Sequence, residues 1–173
     1  FRLLRLLSQL MRTVRRVPAI TIAPVQGAAI GGGFGLLCAC DFAIGTPNTK
    51  VGYPPIELGL SPALMTPWLV QKIGPSAARA FMLRGGTTAG TEAARLGLLT
   101  DLVAEEELSE STDRLADQLL GADPTALRTT KRYLNHFEGS DQDVTLDHAA
   151  DVSATVMARD SSQRRVSSVR QTS

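Results

Sequence analysis

The chain has 173 residues, 43% hydrophobic and 20% charged, with 18 Lys and Arg against 17 Asp and Glu for a formal charge of +1. That length and composition fit one ordinary globular domain able to bury a core without disulfides or metals. The near-neutral balance gives no electrostatic case for nucleic acid or an acidic partner, an aromatic content of 5% argues against stacked-base recognition, and no apolar run reaches bilayer-crossing length.

Residues 1–17 carry Arg2, Arg5, Arg12, Arg15 and Arg16 and no acid, while Leu3, Leu7, Leu10, Val14 and Val17 recur at helical spacing. The spacing predicts a core-facing amphipathic helix. The same composition also fits a transit peptide, a cationic face for a membrane or RNA, or a merely solvated arginine face. Pro18 ends the helix, because it lacks an N–H and restricts the residue before it. Residues 19–25 are apolar with β-branched members and read as a buried strand. Gly27 follows, then Gly31-Gly32-Gly33 and an apolar helix over 34–40. Residues 41–44 form a second short strand, 45–48 a turn, and 51–53 a third extended piece stopped by Pro54 and Pro55.

The second half is predicted helical. Residues 63–73 are one helix that Pro67 kinks or restarts and Gly74 closes. Ser76 is the candidate N-cap of a helix over 77–83. Residues 91–96 form a short helix ended by Gly97, and 99–103 a short strand. Helices follow over 106–120, 124–137 and 144–159, with Asp123 a candidate cap and Pro124 at the first helical position. The tail, 161–173, is polar and aperiodic, and mobility is expected of it.

Cys38 and Cys40 lie two apart in an apolar run with no accompanying histidine. Zinc is therefore not expected, and both read as small core residues of a reduced, cytoplasmic protein.

The segment with chemical content is Gly31-Gly32-Gly33 between a strand and a buried helix. A helix N-terminus leaves N–H groups without partners and carries a positive dipole end, and glycine lets a ligand atom come close to the backbone. A carbonyl oxygen gathering negative charge is a natural guest. The bland alternative is tight strand–helix packing. A phosphate loop lacks its Gly-Lys-Ser/Thr ending, and the spacing Gly31, Gly33, Gly35 does not fit the dinucleotide fingerprint.

The stretch Pro18-Ala19-Ile20-Thr21-Ile22-Ala23-Pro24-Val25-Gln26-Gly27-Ala28-Ala29-Ile30-Gly31-Gly32-Gly33 resembles the signature of the enoyl-CoA hydratase/isomerase (crotonase) family. The likeness continues through Cys40-Asp41-Phe42, Val51-Gly52-Tyr53-Pro54, Leu58-Gly59-Leu60-Ser61-Pro62, Gly74 and Glu92-Ala93-Ala94-Arg95-Leu96-Gly97-Leu98-Leu99, covering about residues 5–137. The resemblance implies an α/β fold: a spiral core of ββα turns over 1–104, matching the C-terminal two-thirds of the family and lacking its N-terminal part, then a helical C-terminal trimerisation region over 105–173. It implies an acyl-CoA partner, a homotrimer or hexamer, and no separate cofactor, coenzyme A being part of the substrate. Neither a nucleic acid nor a membrane is implied. Gly32 would give one of two oxyanion N–H groups to the thioester carbonyl, with Gly31, Gly33, Pro55 and Trp68 near the substrate. The other donor would lie in the missing N-terminal part.

By the same resemblance, hydratases use two carboxylates for acid–base work on water. Those positions fall on Gly35 and Pro55, neither of which moves a proton. Glu57, two residues past Pro55, shares its side of an extended backbone and reads either as a displaced base or as an exposed loop carboxylate. Two functions follow: an enoyl-CoA hydratase/isomerase acting on a fatty or short-chain enoyl-CoA, and a non-catalytic acyl-CoA-binding or assembly subunit. Asp41 reads as a local turn cap or a local pair, with catalysis the lesser reading, His136 and His148 as surface or interface groups, and Trp68 and Phe81 as core or acyl-pocket lining. Lys131 and Arg132 read as solvated charges or as groups approaching a CoA phosphate in a neighbouring subunit.

Overall fold

The structure, a computed structural model, describes residues 2–53, 59–159 and 162. Helix α1 (Arg2–Arg16) turns to the core a face that shares Leu7 and Val14 with the predicted stripe but is centred on Ser8 and Met11. Ser8 and Met11 are buried, and Leu4, Leu7 and Val14 pack on the core, while Leu3 and Leu10 are 71% and 47% exposed. Leucines at 3, 4, 6, 7 and 10 spread over more than one face, so apolar spacing alone does not orient this helix. The arginines do. Arg5 pairs with Asp151, Arg12 with Asp143 and Asp147, and Arg16 with Asp143. Arg15 meets Glu138 at 2.5 Å. Arg12, Arg15 and Arg16 are thus largely covered by their partners, while the Arg5 side chain stays 62% exposed.

Among the described residues the strands form two separate three-stranded sheets, not one continuous parallel sheet. In the first, β1 (Ile22–Pro24) runs parallel to β3 (Phe42–Gly45), which runs parallel to β6 (Asp101–Leu102). In the second, β2 (Ala28–Ile30) runs parallel to β4 (Lys50–Tyr53), and β4 pairs antiparallel with β5 (Gly86–Ala89). The chain passes from one sheet to the other at Gln26-Gly27. The predicted strand over 19–25 therefore shrinks to Ile22–Pro24, and β2 follows where only glycines were read. β5, Gly-Thr-Thr-Ala, has a turn-like composition and exists through its pairing. A Cβ on Gly52 would lie 2.4 Å from the Gly86 carbonyl oxygen, so only glycine lets these strands meet.

Helix α2 (Gly32–Ala39) packs against α1, α3 and the second sheet and is buried along most of its length. A 3-10 turn at Ala63–Met65 leads into α3 (Thr66–Ile73), so Pro67 sits in a first turn, where its missing N–H costs nothing, and makes no kink. Helix α4 (Pro75–Arg84) is entered from Gly74 with Pro75 at its first position, displacing Ser76 from the predicted cap. Helices α5 (Gly90–Leu96), α6 (Leu108–Leu120), α7 (Pro124–Phe137) and α8 (Asp143–Met157) follow. Asp123 caps α7 as expected, its Oδ1 accepting from Ala126 N at 2.7 Å. Phe34, Leu37, Val51, Trp68, Leu69 and Leu98 make the centre of the core. No helix among the described residues is long and apolar enough to cross a membrane.

Asp41 is not a local cap. Its Oδ2 accepts from Thr21 N at 2.7 Å, from Thr21 Oγ1 at 2.8 Å and from Lys131 Nζ at 2.6 Å. Lys131 also donates to the Ala19 carbonyl at 2.7 Å and is 5% exposed. This buried pair ties α7 to the start of the first sheet, so Lys131 is neither a surface charge nor a phosphate ligand. A charge this buried persists only when paired and hydrogen-bonded.

Helix α8 is held to α1 by the arginine ladder and buries mainly small residues, Ala150, Ser153 and Ala154, with Leu146. Hydrogen bonds from Arg16 and then Arg12 hold the Asp143 carboxyl below its usual range. A carboxylate with a depressed folded pKa stabilises above its unfolded pKa and loses that contribution as pH falls through the folded value. Acidification below the ordinary aspartate range, or molar salt at neutral pH, is therefore expected to speed amide exchange in α8 before other helices. Exchange in α8 that tracks α3 under both treatments would show that the ladder is not what holds it.

Candidate functional site

The site begins with a backbone bend. Gly31 has φ 59 and ψ −119, a conformation costly for residues with a Cβ. Its N–H donates to the Gly52 carbonyl at 3.1 Å, extending the β2–β4 pairing by one bond, and its own carbonyl accepts the first helical bond from Gly35 at 3.1 Å. Gly32, Gly33 and Phe34 thus fill the first turn of α2, whose N–H groups have no intrahelical acceptor. No acceptor for them occurs among the described residues.

Two small hollows flank this turn. One, of about 200 Å³, is faced by Gly31 and Gly32 together with Leu7, Tyr53, Leu60, Met65 and Met157. It joins α1, the β4 end, the segment after Gly59 and α8. The other, of about 230 Å³, is faced by Gly33, Ala28, Ala29 and Leu36 on the opposite side of the helix start. The first offers apolar walls beside unpaired N–H groups at a positive helix end, which suits a small acyl group carrying a carbonyl oxygen. Tyr53 and the α8 residues escape sequence reading because only the β2–β4 register and the α1–α8 packing bring them here.

At Gly35, where the resemblance places the first carboxylate, the space is taken. A Cβ there would lie 2.5 Å from Met11 Cε, 3.0 Å from Met11 Sδ and 3.3 Å from Met65 Cγ. Pro55 and Glu57 lie outside the described residues, as do Pro54, Leu58 and the tail except Ser162. Trp68 is 1% exposed, packed in the core and not among the residues facing the Gly32 cavity. Phe81 stacks on Phe34 with centroids 5.5 Å apart. His136 is exposed and its Nδ1 lies 2.8 Å from Asp141 Oδ2, while His148 is exposed on α8. Among the described residues no group of three His, Cys, Asp or Glu is placed to hold a metal.

Cys38 is a core residue, as the sequence suggests, whereas Cys40 is only half-buried and borders the hollow beside Gly33. Burial pushes the Cys38 thiol up to about 12 and raises that of Cys40. Since the thiolate is the reactive form, Cys38 is expected to resist iodoacetamide at pH 8 in the native protein and to react readily in denaturant. Rapid native labelling, read by peptide mass mapping, would contradict this burial.

Residues 5–170 match the family model described as enoyl-CoA hydratase/isomerase. The chain is 35% identical over 128 residues to a Thermus thermophilus protein named as an enoyl-CoA hydratase, covering 72% of this chain and 51% of that protein. It is 31% identical over 144 residues to the crotonyl-CoA hydratase of Syntrophomonas wolfei, covering 83% and 55%. The chain spans about half the length of these curated relatives. Among solved structures, an enoyl-CoA hydratase from Mycobacterium avium superimposes with a TM-score of 0.88 at 24% identity, over 99% of this chain and 67% of that one. At that identity the likeness speaks for the fold alone, and it bears out the crotonase-like architecture expected from the sequence.

Proposed function

The chain belongs to the enoyl-CoA hydratase/isomerase family, and we propose that it binds an acyl-CoA thioester with the carbonyl oxygen on the Gly32 N–H and hydrates or isomerises an enoyl-CoA. The observation that carries this reading is the unpaired first turn of α2 opening on a small apolar cavity. Donors fixed before reaction stabilise an enolate oxygen more than a ground-state carbonyl, because charge grows there in the transition state. Gly31 and Gly33 flank the carbonyl in this reading, and Glu57 or a bound water handles the proton. Coenzyme A enters as part of the substrate. Assembly into a homotrimer or hexamer is part of the same proposal, and light scattering showing only monomer over a wide concentration range would remove it.

A second reading has an observation of its own. Met11 fills the volume beside Gly35, which favours an acyl-CoA-binding subunit without turnover. Calorimetric titration with CoA and with butyryl-CoA, beside a crotonyl-CoA hydration assay, separates the two. Tighter binding of the acyl ester with turnover supports the enzyme, and tighter binding without turnover the binding subunit. No preference for the acyl ester sinks both.

A further inference from the structure

A groove of about 790 Å³ lies between α7 and Val17-Pro18 at the end of α1, away from the Gly32 site. Arg128, Arg132 and His136 recur along it one helical turn apart, with Tyr133 beside them. Tyr133 is 66% exposed and Phe137 78%, and their rings stack on each other, with centroids 6.5 Å apart. Among the described residues the ion pairs made by α7 are those of Lys131 and His136, so Arg128 and Arg132 have no acid. The acids outside the described residues, Glu57 and Asp160, stand within two residues of Gly59 and Ser162, which are joined by Ser162 Oγ donating to the Gly59 carbonyl at 2.8 Å. Leu60 and Ser61 share a cavity with Leu4, and from Leu4 to Arg16 α1 rises about 18 Å. Neither acid is therefore placed to neutralise the two arginines, and residues 163–173 carry no acid.

Helix α6 has the opposite make-up. It buries Leu108 and Ser111, and on its opposite side Glu110, Asp113, Asp117 and Leu120 recur at i, i+3, i+7 and i+10. Glu110 pairs with Arg114 of its own helix, Asp113 and Asp117 pair with no cation among the described residues, and Leu120 is 81% exposed. Within one chain α6 packs on β1 and β3 and α7 on α1, and no ion pair links the two helices. We propose that α6 of one copy docks along α7 of another, Asp113 and Asp117 against Arg128 and Arg132, Leu120 against the Tyr133–Phe137 pair. The register fits with the helices running the same way: acids and arginines both step by four, and the apolar groups follow them on each helix. Exposed ion pairs contribute little alone. Burial of Leu120, Tyr133 and Phe137 supplies the drive, and the charges choose partner and register. The contact does not depend on what the Gly32 site binds, and it gives the assembly proposed above a definite surface.

The test is sedimentation velocity on wild type, Arg128→Glu/Arg132→Glu, Asp113→Arg/Asp117→Arg and the chain carrying all four changes, with circular dichroism as the folding control. Expected is an assembled wild type and each paired variant running at the 18.4 kDa of one chain. Assembly should return in the chain with all four changes, where every attraction is restored with its sign exchanged. An equimolar mixture of the two paired variants should likewise give species larger than one chain. Recovery of this kind cannot come from variants that merely misfold. Either paired variant assembling as wild type does overturns the contact and leaves the assembly reading standing. Folded paired variants that stay monomeric with no recovery in the four-change chain also overturn it, because the two faces are then not each other's partners. A wild type that is monomeric over a wide concentration range overturns both.

Discussion

Gly35→Glu is expected to destabilise the protein severely rather than supply the missing acid. A Cβ at this position already meets Met11 Cε at 2.5 Å and Met65 Cγ at 3.3 Å, and Met11 and Met65 are 0% and 3% exposed. Forcing side-chain atoms into a filled core costs about 1–3 kcal/mol by displacement alone. An unpaired carboxylate buried there adds about 3–5 kcal/mol, or is held protonated at a similar cost. Against the usual 5–15 kcal/mol of total stability, the variant should show a large drop in urea midpoint, and expression as soluble protein should fall. Met11 is unbranched and can move, so Gly35→Ala should cost much less. The double variant Gly35→Glu/Met11→Ala should recover part of the loss by vacating the volume. A Gly35→Glu protein as stable as wild type, with faster crotonyl-CoA hydration, would show that Met11 yields and that the position still accepts an acid.

These particulars mark how far the sequence reaches. The glycine triplet, the helix after it and the capped start of α7 were legible because each rests on local chemistry: backbone freedom, an apolar run, an Asp three residues before the N–H it caps. The family resemblance supplied the architecture, and the family match and superposition bear it out. What the sequence hid depends on distance along the chain. The orientation of α1 is only partly legible, Leu7 and Val14 facing the core as their spacing predicts while Leu3 and Leu10 do not, because five leucines in its first ten residues outvote one methionine and the partners Asp143, Asp147 and Asp151 lie far along the chain. Lys131 looked like one more basic residue on a polar helix until Asp41 and the Ala19 carbonyl surrounded it. Tyr53 belongs to the family motif in the sequence, but its place beside Gly31 is a fact of register. β5 was missed because Gly-Thr-Thr-Ala has no apolar alternation, and a strand of that composition exists only where a partner accepts it.

Gly32 is where loss of function should be greatest for the least damage to the fold. A Cβ on Gly32 would stand 3.4 Å from Leu7 Cδ2 and 3.6 Å from Leu7 Cδ1, ordinary contact distances. Alanine should therefore fold with little loss. Valine adds branches toward Leu7 and the cavity mouth, and is expected to exclude the acyl ester while costing some stability. Proline is the sharper probe. The first helical position tolerates it, since its fixed φ suits the helix and its missing N–H has no intrahelical partner, and Gly31 ahead of it is outside the α region that proline forbids. Gly32→Pro thus deletes the donor without breaking the helix, and its ring Cδ also takes the place from which the oxygen would approach. If the N–H holds the oxygen, turnover should fall by about 10²–10³-fold, about 2.7–4 kcal/mol of transition-state stabilisation, with a smaller loss of ground-state affinity because charge on the oxygen grows only as reaction proceeds. A protein that only binds should lose affinity and have no rate to lose. Calorimetry with butyryl-CoA, the crotonyl-CoA hydration assay and circular dichroism on wild type, Gly32→Ala, Gly32→Val and Gly32→Pro read these arms together. A folded Gly32→Pro that keeps wild-type rate and affinity would mean that the carbonyl sits elsewhere, with the hollow beside Gly33 the next place to look.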